Sequence, residues 1–365
     1  MTYLDYQATT PLAPEALATM LPWLERQHAN PHSAHREGRA AKAAVEVARE
    51  SVAGLGAPNP SGRLSFTSGA TEALNWAIKG SRGAIVTLAT EHAAVLDTVE
   101  HERRSGRPVT ILPVGRDGIV DLEGAAAAIR SGAGLVAAML VNNEIGVVQP
   151  IAELAALAHA AGALMLCDAV QGWGRMAIPD ACDLVAMSAH KIYGPKGIGG
   201  LFIADGVALA PLLHGGRQEE AGRSGTLSPA LCTGFGAAAR EMRDRYDEDA
   251  QKIERLWDAA IAVFGDAWIV NGSTEQRYRG NLNIRRDGLD VARLMSGLRD
   301  VAFSAGSACA SGSGRPSHVL RAIGLSDAEA RSSIRLGFGR YTTETELTDA
   351  VARIVAAADA QRIAA

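Results

Sequence analysis

The chain has 365 residues, 47% of them hydrophobic and 21% charged, with a formal net charge of −4. That composition fits a globular protein with one large domain and a smaller one, and it argues against intrinsic disorder. It gives no electrostatic footprint for nucleic acid or an anionic membrane as main partner. The start, Met1-Thr2-Tyr3-Leu4-Asp5-Tyr6, lacks the basic region and apolar core of a signal peptide. The apolar run at 135–141 is too short to span a bilayer, so a cytoplasmic location is expected.

Residues 11–28 and 34–55 carry helical patterns, with Ala40, Ala44, Val47 and Val52 near one face of the second. Between them, His28, His32 and His35 invite a metal reading. Pro31 breaks helical spacing there and no carboxylate or cysteine completes a set, so no metal is expected. From residue 63 on, strands and helices alternate. Strands are expected at 63–66, 84–89, 109–114, 135–141, 163–167, 184–187 and 201–203, and a helix opens near Thr71 and runs through Lys79. Continuous apolar strands separated by helices predict an α/β fold with a mostly parallel sheet covered on both faces. After about residue 240 the texture changes. One long charged helix is expected over 240–264, short strands near 268–270, 281–284 and 333–338, and a last helix over 344–358. These read as a second, smaller α/β domain.

Polar residues gather just past the strands' C-terminal ends, where open α/β sheets bind ligands. No P-loop and no dinucleotide-binding glycine fingerprint is present. The stretch Thr67-Ser68-Gly69-Ala70-Thr71 places small residues and a glycine between a strand and a helix. Free N–H groups there suit a phosphate, although an ordinary Ser/Thr cap reads the same way. Asp168 follows a buried strand, so its carboxylate must be paired, hydrogen-bonded or facing a ligand cation. Gln171, Asn143 and His92 end neighbouring segments in the same manner. Lys191 lies in Ser188-Ala189-His190-Lys191-Ile192-Tyr193-Gly194-Pro195-Lys196-Gly197, between two apolar strands. A strand end holds a reactive lysine rigidly; the bland alternative is a solvated surface lysine. Of the four cysteines, none lies in a C-x-x-C pair, and Cys167 reads as a core residue. Cys309 stands among small residues, with no bulky side chain from Ser304 to Gly314 to anchor it in a core. That composition predicts a mobile segment with an accessible thiol.

Together these motifs resemble the cysteine desulfurases, class V aminotransferase-like enzymes of the fold-type I pyridoxal-phosphate superfamily. The resemblance also rests on Val141-Asn142-Asn143-Glu144-Ile145-Gly146, Arg223-Ser224-Gly225-Thr226, Gly306-Ser307-Ala308-Cys309 and Gly339-Arg340-Tyr341-Thr342-Thr343, and it covers nearly the whole chain. It implies a large cofactor-binding domain over 13–245 with a seven-stranded sheet. It also implies a small domain over 246–365 with residues 1–12 packed on it.

By position, the resemblance implies that Lys191 holds pyridoxal 5'-phosphate as a Schiff base. Ala70, Thr71, Ser188 and His190 would bind the phosphate, and Thr226 would reach across from a second subunit of a homodimer. Asp168 would face the ring nitrogen, His92 would stack on the ring, and Gln171 and Asn143 would contact the ring hydroxyl or substrate. Arg340 would grip the carboxylate of L-cysteine, Lys191 would move the Cα proton, and Cys309 would be the nucleophile, with His92 as candidate acceptor of its proton. The sulfur would leave as a persulfide for an iron–sulfur scaffold or a tRNA-thiolation relay. The competing readings are a selenocysteine lyase or aminotransferase on the same fold, and a catalytically silent scaffold. An aminotransferase has no use for Cys309, and a scaffold has none for Lys191, Asp168 and His92. Two stretches, 215–222 and 310–316, depart from the commonest pattern without removing a chemical group.

Overall fold

Strands built from Val, Ile, Leu, Ala and Met can be buried on both faces, and the fold uses them that way. The structure, a computed structural model, describes residues 1–56, 61–220, 222–306 and 316–363. The chain starts in a short strand, β1 (Thr2–Tyr3). The large sheet follows as β2 (Gly62–Thr67), β3 (Ala84–Leu88), β4 (Val109–Leu112), β5 (Ala133–Met139), β6 (Leu164–Asp168), β7 (Leu184–Ser188) and β8 (Gly199–Ala204). Its spatial order is β2-β8-β7-β6-β5-β3-β4. Neighbours from β4 to β7 are parallel; β8 alone runs the other way, antiparallel to both β7 and β2. The reason is the length of the link. Residues 189–198 fall short of the dozen or so needed for a parallel crossover, so the chain turns straight back. Lys191 sits in that turn.

Side chains alternate across the sheet. Val185 and Met187 join a core with Met165, Phe202, Val45 and Phe235, while Leu184 and Ala186 join one with Leu166, Leu201, Leu74 and Val95. The first layer is covered by the helices Arg36–Ala53 and Pro229–Asp244, the second by Ala70–Gly80 and Ala93–Arg104. His35 caps the helix Arg36–Ala53, its Nδ1 accepting from the Gly38 N–H at 3.2 Å.

A separate core gathers Leu4 with residues between Leu256 and Ala358. It lies on an antiparallel sheet of β9 (Ile269–Val270), β10 (Asn281–Arg285), β12 (Ser304–Ala305) and β13 (Ser333–Gly337), ordered β12-β13-β10-β9. β11 (Val301–Ala302) pairs in parallel with β1. The single helix expected over 240–264 is two helices, Pro229–Asp244 and Tyr246–Phe264, separated at Arg245. The break follows the packing: Met242 belongs to the large-sheet core and Leu256 to the second core. The last helix runs further than expected, over Glu344–Ile363.

A buried ion pair of the second half is packed against Tyr193 of the first. Arg340 donates from Nε and Nη2 to Asp249 Oδ2 at 2.9 and 2.6 Å. Its guanidinium lies 4.4 Å from the Tyr193 ring centroid, and its backbone N–H donates to the Tyr193 hydroxyl at 2.9 Å. Tyr193, two residues past Lys191, is held at φ +66°, a conformation costly for a bulky residue. Asp249→Ala would strand the Arg340 charge in the interior. We expect a loss of about 3–5 kcal/mol in urea unfolding, largely recovered in Asp249→Ala/Arg340→Met. A loss below about 1 kcal/mol in the single variant would contradict this.

Candidate active site

A cavity of about 570 Å³ opens at the C-terminal ends of the parallel strands. Ala70, Thr71, His92, Asn143, Asp168, Gln171, Ser188, His190 and Lys191 all line it. Their grouping follows from the sheet, because each stands at or just beyond the end of a strand or in the loop that follows.

The helix Ala70–Gly80 begins at Gly69 without a side-chain cap. The expected Ser/Thr capping alternative is therefore not what happens. Thr67 Oγ1 donates to the Gly69 carbonyl at 2.9 Å, and the Ser68 N–H is taken by Glu72 Oε2 at 2.7 Å. The first helical N–H groups are left to face the cavity, with the positive end of the helix dipole behind them. Gly199 lets the returning strand approach. A Cβ there would stand 2.5 Å from the Met187 carbonyl oxygen and 2.8 Å from Gly69. Ser188 and His190 complete this corner. Burial, then Lys191 and Lys196, pull the His190 imidazole down to about 4, so it is neutral.

Lys191 Nζ donates to the carbonyls of Gln7 and Ala8 at 2.5 and 2.8 Å. The N-terminal loop Gln7-Ala8-Thr9 thus forms a wall of the site. Asp168 is 4% exposed and accepts the Val170 N–H at 3.0 Å. Burial pushes its carboxyl above the usual range, while that N–H, His92 and Lys191 favour the carboxylate. It forms no ion pair among the described residues. Gln171 Nε2 donates to the Gln7 carbonyl at 2.9 Å, and its Oε1 accepts from Arg175 at 3.1 Å.

His92 caps the helix Ala93–Arg104, its Nδ1 accepting the Ala94 N–H at 3.0 Å. Burial lowers its pKa, with Lys191 and His318 adding to that and Asp168 opposing it. A neutral ring with an accepting Nδ1 carries its proton on Nε2. His92 is therefore a hydrogen-bond donor toward the site. To accept a thiol proton, as expected from the sequence, it would have to release its cap. Beside it, Glu91 is fully buried, accepts the Met139 N–H at 2.9 Å, and is pushed well above the carboxylate range by burial.

Two expected residues are described but are not in the cavity wall. Arg340 does not line it, and its Nε and Nη2 are engaged by Asp249. Arg335 lines the cavity instead, and sequence reading missed it. Its Nη1 donates to the Asn143 carbonyl at 3.0 Å, its Nη2 to Asp5 Oδ1 at 2.7 Å, and its Nε has no partner among the described residues. The signal was available: an arginine inside the apolar strand Ser333–Gly337 needs a reason to be there. Thr226 is exposed and does not line this chain's cavity. Cys309 lies outside the described residues.

These features fit pyridoxal phosphate. An uncapped helix N-terminus takes the phosphate, an amine at the turn takes the aldehyde carbon, and a buried carboxylate without a cation suits a protonated ring nitrogen. The volume holds the cofactor with a small amino acid beside it.

The aminotransferase class-V family pattern matches residues 2–349. The cysteine desulfurase IscS of Rickettsia bellii (strain OSU 85-389) is 41% identical over 365 aligned residues, covering 96% of this chain and 89% of that protein. The X-ray structure of a NifS-like protein from Rickettsia africae ESF-5 superposes with a TM-score of 0.90 at 28% identity, covering 98% of this chain and 99% of the other. SspA in complex with cysteine has a TM-score of 0.83 at 33% identity, covering 94% and 100%. With a family match over residues 2–349 and a cysteine desulfurase 41% identical over nearly the whole chain, the chain belongs to the class-V aminotransferases and, among them, to the cysteine desulfurases.

Proposed function

We propose that this protein removes sulfur from L-cysteine, leaving L-alanine, and passes the sulfur on as a persulfide of Cys309. The observation that carries the reading is the convergence of the Lys191 amine, the buried Asp168 carboxylate and the uncapped helix at Ala70 on one cavity. Bound pyridoxal phosphate supplies an electron sink for negative charge at the substrate Cα. Asp168 holds a proton on the ring nitrogen. The helix N-terminus, Ser188 and His190 orient the phosphate. Lys191 Nζ takes the proton from Cα and later returns one. Arg335, which lines the cavity, orients the substrate carboxylate by its charge from the small-domain side. His92 packs over the ring and donates from Nε2. Cys309 thiolate then attacks the substrate sulfur. The new S–S bond forms as the C–S bond breaks, and the electron pair left on carbon is protonated to give alanine.

The flanks of the Cys309 segment support this role. The Gly306 carbonyl accepts from Asn283 at 3.3 Å, and Asn283 also holds the Glu144 carbonyl at 3.0 Å. Ser317 donates to the Glu144 carboxylate, and His318 Nε2 meets the Glu91 carbonyl at 2.9 Å. Both flanks are thus fastened next to Asn143 and His92. The acceptor in this reading is a protein, an iron–sulfur scaffold or a thiolation relay.

We further place the enzyme in the cytoplasm as a homodimer. No helix among the described residues is long and apolar enough to cross a membrane. On the helix Pro14–Glu25, Leu17, Leu21 and Leu24 are 44%, 40% and 64% exposed and share one face. An apolar stripe left in water is the mark of a partner surface. Thr226, exposed and outside its own cavity, is free to serve the partner's phosphate site.

Cys309→Ala should still bind cofactor and still change its absorbance when L-cysteine is added, yet form no persulfide and little alanine. If it released alanine and sulfide at the wild-type rate, a direct lyase would replace the proposed mechanism. For assembly, Leu21→Glu should convert the dimer to monomer in sedimentation and weaken cofactor binding at least tenfold. A variant that stays dimeric would move the interface elsewhere.

A further inference from the structure

A second cavity, of about 160 Å³, lies among the turn after Asp168, the helix Tyr246–Phe264 and the loop before β10. Its walls include Arg175, Tyr193, Asp249, Arg277 and Tyr278, and it shares no residue with the first cavity. Its charges do not balance. Asp249 is engaged by Arg340, and Glu254, also on the wall, by Arg279. Arg175 and Arg277 form no ion pair among the described residues.

Arg277 is only 7% exposed. It donates from Nη1 to the Ser273 carbonyl at 2.9 Å and from Nη2 to the Ile145 and Asn281 carbonyls at 2.6 and 3.2 Å, and its Nε has no partner among the described residues. Neutral carbonyls do not neutralise a buried charge, which normally requires a counter-ion. Burial, then repulsion from Arg279, pulls the guanidinium down to about 9, the direction an uncompensated cation takes. The space beside it holds roughly five waters at about 30 Å³ each. That admits a small anion and excludes a nucleotide.

We propose that this cavity binds a small oxyanion, held between the guanidiniums of Arg175 and Arg277. Planar guanidiniums suit the paired oxygens of a phosphate or a carboxylate. The site is wired to the active site through Arg175. Its Nη2 donates to the Lys191 carbonyl at 2.5 Å and its Nη1 to Gln171 Oε1 at 3.1 Å. An anion drawing on Arg175 therefore acts on the same side chain that steadies the lysine turn.

The test is calorimetric titration of inorganic phosphate into the cofactor-loaded enzyme at fixed ionic strength, so that the cofactor's own phosphate fills the helix Ala70–Gly80 site. One saturable site per chain is expected. Ala250→Glu, at an exposed position on the cavity wall, should weaken binding at least tenfold, and Glu254→Gln should tighten it at least threefold. Competition by acetate would assign the site to carboxylates as well; its absence would narrow it to phosphate-type anions. No saturable binding of either ion, or equal affinity in wild type and both variants, would overturn the proposal. The readout is binding alone, so it succeeds or fails independently of the desulfurase reading.

Discussion

The Asp168 carboxylate is buried at the end of β6 and forms no ion pair among the described residues, and the rest of the site is arranged around that fact. Leaving Asp168 charged in the interior is costly unless something protonated is brought to it. Nearby, a helix N-terminus without a side-chain cap turns its N–H groups toward the same cavity. One ligand carrying a phosphate at one end and a protonated ring nitrogen at the other satisfies both. The sheet sets their placement: β6 delivers Asp168, β2 leads into the helix, and the short return from β7 to β8 swings Lys191 between them.

That return is also why the sheet is mixed. A lysine on a long crossover would be carried over a sheet face. On a turn too short to cross over, it stays at the sheet's edge, where the N-terminal loop can meet its amine. Tyr193 pays for this tight geometry with a left-handed backbone, and Arg340 and Asp249 hold it there. The arginine expected to bind substrate is thus part of the brace behind the lysine. Arg335, further back along the same chain segment, faces the cavity.

Much of this was legible in the sequence. Apolar runs marked the strands because strands buried on both faces carry mostly apolar side chains. Strand-end residues such as His92, Asp168 and Lys191 stood out because a polar group at a buried edge needs a purpose. What was hidden depended on long-range contacts. Periodicity cannot say that helix 240–264 breaks at Arg245 to serve two cores. Nor can a motif tell Arg335 from Arg340, since both are buried and each pairs with an aspartate, and only the folded chain puts Arg335 at the cavity wall. The tautomer of His92 follows from a backbone N–H two residues on, which depends on the local chain path. The contribution of Gln7, Ala8 and Thr9 requires the first residues to fold back across the large sheet.

The central claim is that Lys191 carries the cofactor. Borohydride reduction of the cofactor-loaded enzyme, followed by peptide mapping, tests it most directly. Lys196 lines the same cavity and is the natural competitor. The account predicts a pyridoxyl mass increment on Lys191 that disappears in Lys191→Ala; the increment on Lys196 in the wild-type protein would contradict it.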